Sequence, residues 1–187
     1  MAAIVLVEGI TDELALTLAA RRSGRDLTAE GVTIIGTNGA QGLARVLRQI
    51  AAEHPAPTVA GLYDAGEEPV VRAALERAGL GRDLDRSRLE RLGFFACDSD
   101  LEEELTRAAG DALLSRLIEL EGDSQAWRTF RKQRHWQGRP ADEQFRRFMR
   151  SVSDRNSRYI RCILESIDPT QLPRPLLLLL DYLASRA

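Results

Sequence analysis

The sequence has few of the groups that cross-link chains or bind soft metals: two cysteines, Cys97 and Cys162, and two histidines, His54 and His135, in 187 residues. Two cysteines exclude a disulfide framework and a cysteine-based zinc cluster. The two histidines lie far apart and make a poor zinc site. No apolar stretch approaches the ~20 residues of a membrane span, and no basic segment precedes the short apolar run near the N-terminus, as it would in a signal peptide. A cytoplasmic protein is expected. There is no internal repeat and no low-complexity linker. No G-K-[ST] follows the glycine-rich stretch at residues 36 to 43, so no ATP site is expected in this chain.

Lysine is also missing from residues 1 to 126, which carry 13 Arg against 22 Asp plus Glu, whereas residues 127 to 187 carry 13 Lys plus Arg against 6 acids. By subtraction the halves are −9 and +7, which together give the overall −2. Such a division fits a tail that folds back on an oppositely charged body. It fits equally a metal site beside a polyanion-binding surface.

With 44% hydrophobic and 29% charged residues, the chain is long enough to bury one good core. Ala2 to Val7, Val32 to Ile35, Thr58 to Tyr63 and Leu92 to Cys97 are short and apolar, bounded by Gly, Pro or acids, and read as four buried strands. Helical patterns lie between and after them: Asp12 to Ser23, Ala40 to Glu53, Pro69 to Ala78, and Asp100 through Glu121. This alternation predicts an α/β fold with a mainly parallel four-stranded sheet flanked by helices. Beyond Gly122 the strands stop, and Gln125 to Trp136, Ala141 to Arg150, Arg155 to Ile167 and Pro175 to Ser185 read as helices. The expected organisation is an α/β core over residues 1–122 and an Arg-rich helical extension over 123–187 packed on it.

Three of the four strands run directly into a carboxylate: Glu8, Asp64 and Asp98. In an open parallel sheet the carboxyl ends of the strands share one edge, where ligands usually bind. Asp12, Glu67, Glu68, Asp100 and Glu102 follow within one helical turn. Such a cluster repels itself unless a cation sits in it, and all-oxygen ligation favours Mg2+ or Mn2+ over zinc. Ordinary helix capping competes with this reading. Thr11, Asp12 and Glu13 form an acidic helix start, and Ser99-x-x-Glu102 or Asp100-x-x-Glu103 satisfies a capping box. Capping, however, has no need of an acid at a strand terminus. The loop G-T-N-G-A-Q-G-L, with Gly36, Asn38 and Gly39, either presents backbone N–H groups to a phosphate at a helix start or simply makes a tight turn.

V-E-G-I-T-D, then L-Y-D-A-G-E-E, then F-F-A-C-D-S-D-L-E-E-E-L, in this order and at these separations, resemble the Toprim domain. More narrowly they resemble the nuclease domain of the OLD (overcoming lysogenization defect) family and its short stand-alone relatives. The resemblance extends to the C-terminal R-R-F-M and the later R-Y-I and I-D-P-T-Q-L-P-R-P-L. It implies a Rossmann-like sheet carrying a divalent-metal site, with two Mg2+ or Mn2+ ions, for phosphodiester chemistry. Glu8 and Asp12 match the acids of the first motif, Asp64 the first acid of D-x-D, and Glu102 the glutamate of L-E-x-x-L. The second D-x-D position is Gly66, so Glu67 or Glu68 would supply that ligand. Where OLD-type nucleases tend to place a lysine, this chain reads D-R-N-S-R-Y, with Asn156 flanked by Arg155 and Arg158, either of which could neutralise the developing phosphorane charge.

The substrate side of the reading rests on W-R-T-F-R-K-Q-R-H-W, which interleaves Trp127, Phe130 and Trp136 with Arg128, Arg131, Lys132 and Arg134. The aromatics are either core or stacking groups. The arginines, with Arg146, Arg147 and Arg161, are candidates for phosphate contacts. The expected partner is DNA, with RNA as the alternative, and any ATP-driven control would come from a separate ATPase. L-L-L-L-L-D-Y-L near the C-terminus either closes the core or makes an oligomer contact.

Overall fold

Alternate residues of the first strand feed two separate cores. In the computed structural model, which describes residues 3–54 and 57–186, β1 (Ala3–Val7) is buried along its whole length. It pairs in parallel with β2 (Val32–Gly36) on one side and β3 (Thr58–Asp64) on the other. β4 (Phe94–Cys97) adds to β3, giving a four-stranded all-parallel sheet in the order β2-β1-β3-β4. Ala2, expected as the first strand residue, lies outside the described residues.

Ile4 and Leu6 point to one face, against α2 (Ala40–Glu53), α3 (Glu68–Arg77) and α4 (Arg86–Arg91). Ala3, Val5 and Val7 point to the other, into a larger core with α1 (Ile10–Arg22) and α5 (Leu101–Leu120). That core continues without a break into α6 (Ser124–Arg131), α7 (Ala141–Met149), α8 (Ser153–Ser166) and α9 (Arg174–Ala184). Burial on both faces is what a parallel sheet of near-continuous Val, Ile and Leu requires. The C-terminal helices supply one of its two covers. Leu176, Leu179, Leu180 and Leu183 of α9 are buried there, with Leu177 and Leu178 packed against the same core, so the leucine run closes the core. Trp127, Phe130 and Trp136 join Phe145, Phe148 and Tyr159 in a chain of stacked and edge-to-face rings. The aromatics are therefore core.

Three local differences from the sequence reading have local causes. α4 is a six-residue charged helix with one buried residue, Leu89, too short to show a period; Asp85 caps it by accepting from the Arg88 N–H at 2.7 Å. β4 begins at Phe94, two residues later than expected. Leu92 terminates α4, and Gly93 turns at φ +91, where a Cβ would meet the Tyr182 ring at 2.5 Å. Residues 101–120 form two helical pieces joined at Gly110, whose φ of 67° and ψ of 162° leave the helical region.

The β2–α2 loop is tied to the sheet edge. The Thr37 and Asn38 N–H groups donate to the carbonyls of Val7 and Glu8 at 2.8 and 3.0 Å, which prolongs the β1 ladder and fixes the backbone at Glu8. A Cβ at Gly42 would stand 1.8 Å from the Thr37 carbonyl oxygen, so only glycine lets α2 start this close to the loop.

Candidate metal centre

Five carboxylates from four segments border one open cleft of about 280 Å³ at the carboxyl edge of the sheet. Glu8 follows β1, Asp12 lies in the first turn of α1, Asp64 ends β3, and Asp100 and Glu102 open α5. Asn38, Gly39 and one basic side chain, Arg150, complete its rim. Two of the acids also cap helices. Asp12 Oδ2 accepts from the Gly9 N–H at 2.9 Å and Asp100 Oδ1 from the Glu103 N–H at 2.8 Å. Each carboxylate has a second oxygen, so capping and a place on the cleft coexist. Glu102 Oε1 accepts from Asn156 Nδ2 of α8 at 3.0 Å.

These groups work against one another. Burial, then the charges of Glu8, Asp100, Asp12 and Glu67, push Asp64 up to about 7 from its ordinary 3.8. Burial lifts Asp12 to about 6, with Glu102 and Glu8 adding to the shift and the Gly9 hydrogen bond opposing it. Glu8 is raised as well, by burial, then Glu67 and Glu102, with Arg150 pulling it back. A cation in the cleft would relieve all three. The donor chemistry, oxygen only, fits a hard divalent ion. Asn156, which donates to Glu102 through Nδ2, keeps Oδ1 as a buried acceptor without a partner in the described structure. Among the described residues no three His, Cys, Asp or Glu side chains are already gathered into a ligand shell. The fit therefore lies in donor type and shared location.

Residues 2–60 match the family described as Overcoming lysogenization defect protein-like, TOPRIM domain. Over that stretch, about a third of the chain, the sequence is similar to an OLD-like Toprim domain. The solved C-terminal region of the Xanthomonas campestris pv. campestris OLD protein superposes with a TM-score of 0.71 at 18% identity, covering 98% of this chain and 95% of that one. The C-terminal region of the Burkholderia pseudomallei OLD protein gives 0.71 at 17% identity, with coverage of 98% and 97%. At these identities the likeness is one of fold, and it takes in the helices beyond the Toprim match. No curated protein matches by sequence.

Set on this Toprim fold, several expected site residues stand elsewhere. Asp98 is exposed, with its carboxylate 3.5 Å from Arg107, and does not border the cleft. Its strand ends at the shared edge, but the chain turns its side chain outward. Glu68 accepts from Arg86 Nε at 2.7 Å, lies 3.3 Å from the Tyr63 hydroxyl and does not line the cleft. Glu67 is the better placed: it lines a small apolar pocket together with Glu8 and acts electrostatically on both Glu8 and Asp64. Of the proposed phosphate loop, Gly36 is a strand residue paired with Val7, and the Asn38 amide is committed to the Glu8 carbonyl. The loop thus holds Glu8 in place, and its tight-turn reading is the one the hydrogen bonds support.

Arg155 and Arg158 are also elsewhere. Both reach Asp123, at 3.3 and 2.7 Å, and Arg158 adds Glu121 at 3.3 Å. Arg155 lies 4.0 Å above the Phe148 ring. Half-buried Asp123 collects these cations and the Tyr159 hydroxyl, so the pair braces α8 against the α5–α6 turn. The arginine on the cleft is Arg150, whose Nη1 is 3.2 Å from Asp100 Oδ2. The signal for it in sequence is its spacing: Arg146 and Arg150 stand four apart, on one helical face. Of the remaining basic residues, Arg146 pairs with Glu103, Arg131 donates to Gln144 at 2.9 Å, Arg128 donates to Gln125 at 3.0 Å, and Arg161 lies 4.0 Å from Glu165. Lys132, Arg134 and Arg147 are exposed. Arg146, Arg150, Arg155 and Arg158 thus set basic half on acidic half within the molecule.

Proposed function

We propose that this Toprim cleft is a Mg2+- or Mn2+-dependent phosphodiesterase centre that nicks or cuts DNA. The observation that supports this most is the convergence of Glu8, Asp12, Asp64, Asp100 and Glu102 on one cleft. Glu8, Asp64 and Glu67 would hold one ion, and Asp12, Asp100 and Glu102 would hold a second. Two ions in such a set supply activation of a water and stabilisation of the leaving oxygen, chemistry that needs no histidine base. Asn38 holds the Glu8 backbone, and Asn156 orients Glu102. Exposed Lys132, Arg134 and Arg147 offer sequence-independent contacts to a nucleic-acid backbone. In this reading, any ATP-driven control comes from a separate ATPase.

A second reading, metal or nucleic-acid binding with little turnover, draws on Gly66 and Asn156, the two departures from the motifs. Nicking of supercoiled plasmid in EDTA, Mg2+ and Mn2+ decides between them. We expect activity in Mn2+ above that in Mg2+, whose strict octahedral geometry tolerates a displaced ligand poorly. A Cβ at Gly66 meets nothing within 4 Å, and its φ is not positive, so Gly66→Asp is sterically allowed. It should raise the Mg2+-supported rate by about tenfold, the scale of one ligand-shell contact. Metal and DNA binding with no cleavage in either ion, by wild type or Gly66→Asp, would favour the second reading.

A further inference from the structure

We propose that Arg150 is the cleft's own counter-cation, held by Asp100 until a divalent ion takes that carboxylate and then free to engage a phosphate of the nucleic-acid strand. The proposal rests on the metal reading above for its ion, but its test does not depend on turnover.

The two arginines of the cleft-side face of α7 are held very differently. Arg146 is engaged by three groups: Glu103, Asp100 Oδ1 at 3.8 Å and Ser99 Oγ at 3.4 Å, and its side chain is 25% exposed. Arg150 has Asp100 Oδ2 as its acidic contact, at 3.2 Å, with its side chain 50% exposed. Arg146 is the strap between α7 and α5. Arg150 is the C-cap residue of α7, where the chain leaves the helix for the connection to α8. It is also the basic side chain that lines the cleft among the described residues.

Its partner is arranged for exchange. Asp100 Oδ1 caps α5, and it is the other oxygen, Oδ2, that faces Arg150. Breaking the Arg150 contact therefore leaves the cap in place. A half-exposed ion pair is weak, and a doubly charged ion surrounded by oxygen donors displaces it. Two residues further along, Glu102 is met by Asn156, which carries no charge. The released guanidinium stays at the rim of the cleft, and its planar fork suits the two oxygens of a phosphate. The electrostatic pull of Arg150 on Glu8 agrees with this placement.

Two equilibrium measurements test the proposal. In calorimetric titration with Mn2+, Arg150→Met should bind the ion about fivefold more tightly than wild type, the scale of one half-exposed charge at about 4 Å in a high dielectric. Arg150→Lys should stay close to wild type. Arg116→Met, which removes an exposed charge from α5 away from the cleft, should leave Mn2+ affinity within about twofold. With Ca2+ in place of Mn2+, Arg150→Met should bind a labelled oligonucleotide about tenfold more weakly, the loss expected for one charged hydrogen-bond donor, with Arg150→Lys between the two. Unchanged or weaker Mn2+ binding by Arg150→Met overturns the proposal, as does unchanged oligonucleotide affinity. Absence of plasmid nicking by wild type in Mn2+ would count against the nuclease reading alone.

Discussion

Glu8→Ala is expected to lower Mn2+-supported plasmid nicking by at least about 10³-fold, the upper range for removing one preorganised electrostatic group from a reaction centre, without loss of fold. Both halves of that expectation come from the same geometry. The Glu8 side chain borders the cleft, whereas its backbone is held independently by the Asn38 N–H. The residue is exposed, so alanine leaves no cavity. Removing its charge also relieves Asp64, for which Glu8 is the largest repelling neighbour. The metal-free melting temperature should therefore stay level or rise while activity disappears. Nicking by the variant within about tenfold of wild type, at equal melting temperature, would place the reaction away from this cleft, since even one oxyanion-type donor is typically worth more.

Asp64 makes the protein's stability depend on pH in the direction opposite to that of most paired acids. Its folded value of about 7 lies above the ordinary 3.8, so the folded state holds the proton more tightly than the unfolded chain. Below about pH 4 the residue contributes nothing, because both states are protonated. As pH rises toward 7 the folded state must carry a repelled charge and loses stability, and above 7 the loss is complete. Asp12, pushed to about 6, adds a term of the same sign that saturates earlier. Asp64→Asn should therefore melt close to wild type at pH 4 and above it at pH 8. Solvent screening at a half-exposed carboxylate reduces the penalty to roughly 2 kcal/mol, which is about 4–8 °C for a chain of this size. Saturating Mn2+ at pH 8 should reverse the order, since it binds the folded wild type preferentially. Thermal denaturation of both proteins at pH 4, 6 and 8, with and without Mn2+, checks the sign. A constant difference across pH would remove the electrostatic account of the cleft.

The acidic edge was legible in sequence because strand ends are. A short apolar run that stops at Glu8 or Asp64 fixes both the strand terminus and, through the parallel topology, the side of the sheet on which the acid lies. The first-turn acids Asp12, Asp100 and Glu102 follow from the helix starts. Orientation was not legible. Asp98 occupies the equivalent strand end but turns outward to Arg107, and Glu68 is taken by Arg86, 18 residues further on.

The C-terminal helices show the same division between local pattern and distant partner. Their aromatic spacing left core packing and base stacking open, and the ring contacts decide for the core. Which arginine meets which acid depended on contacts 32 to 50 residues apart: Arg155 and Arg158 with Asp123, Arg150 with Asp100. Helical spacing identifies a face and says nothing of the carboxylate opposite it. α4 was invisible for a simpler reason, since one buried leucine in six residues has no period.

Anomalous scattering from crystals soaked in Mn2+ locates the ion without reference to turnover. One or two Mn2+ peaks are expected in the cleft, ligated by Glu8 and Asp64 and bordered by Asp12, Asp100 and Glu102, with Arg150 turned away from Asp100. Saturating Mn2+ that leaves the cleft without a peak, or with the Arg150–Asp100 pair intact and Mn2+ bound elsewhere, would place the metal centre away from these carboxylates.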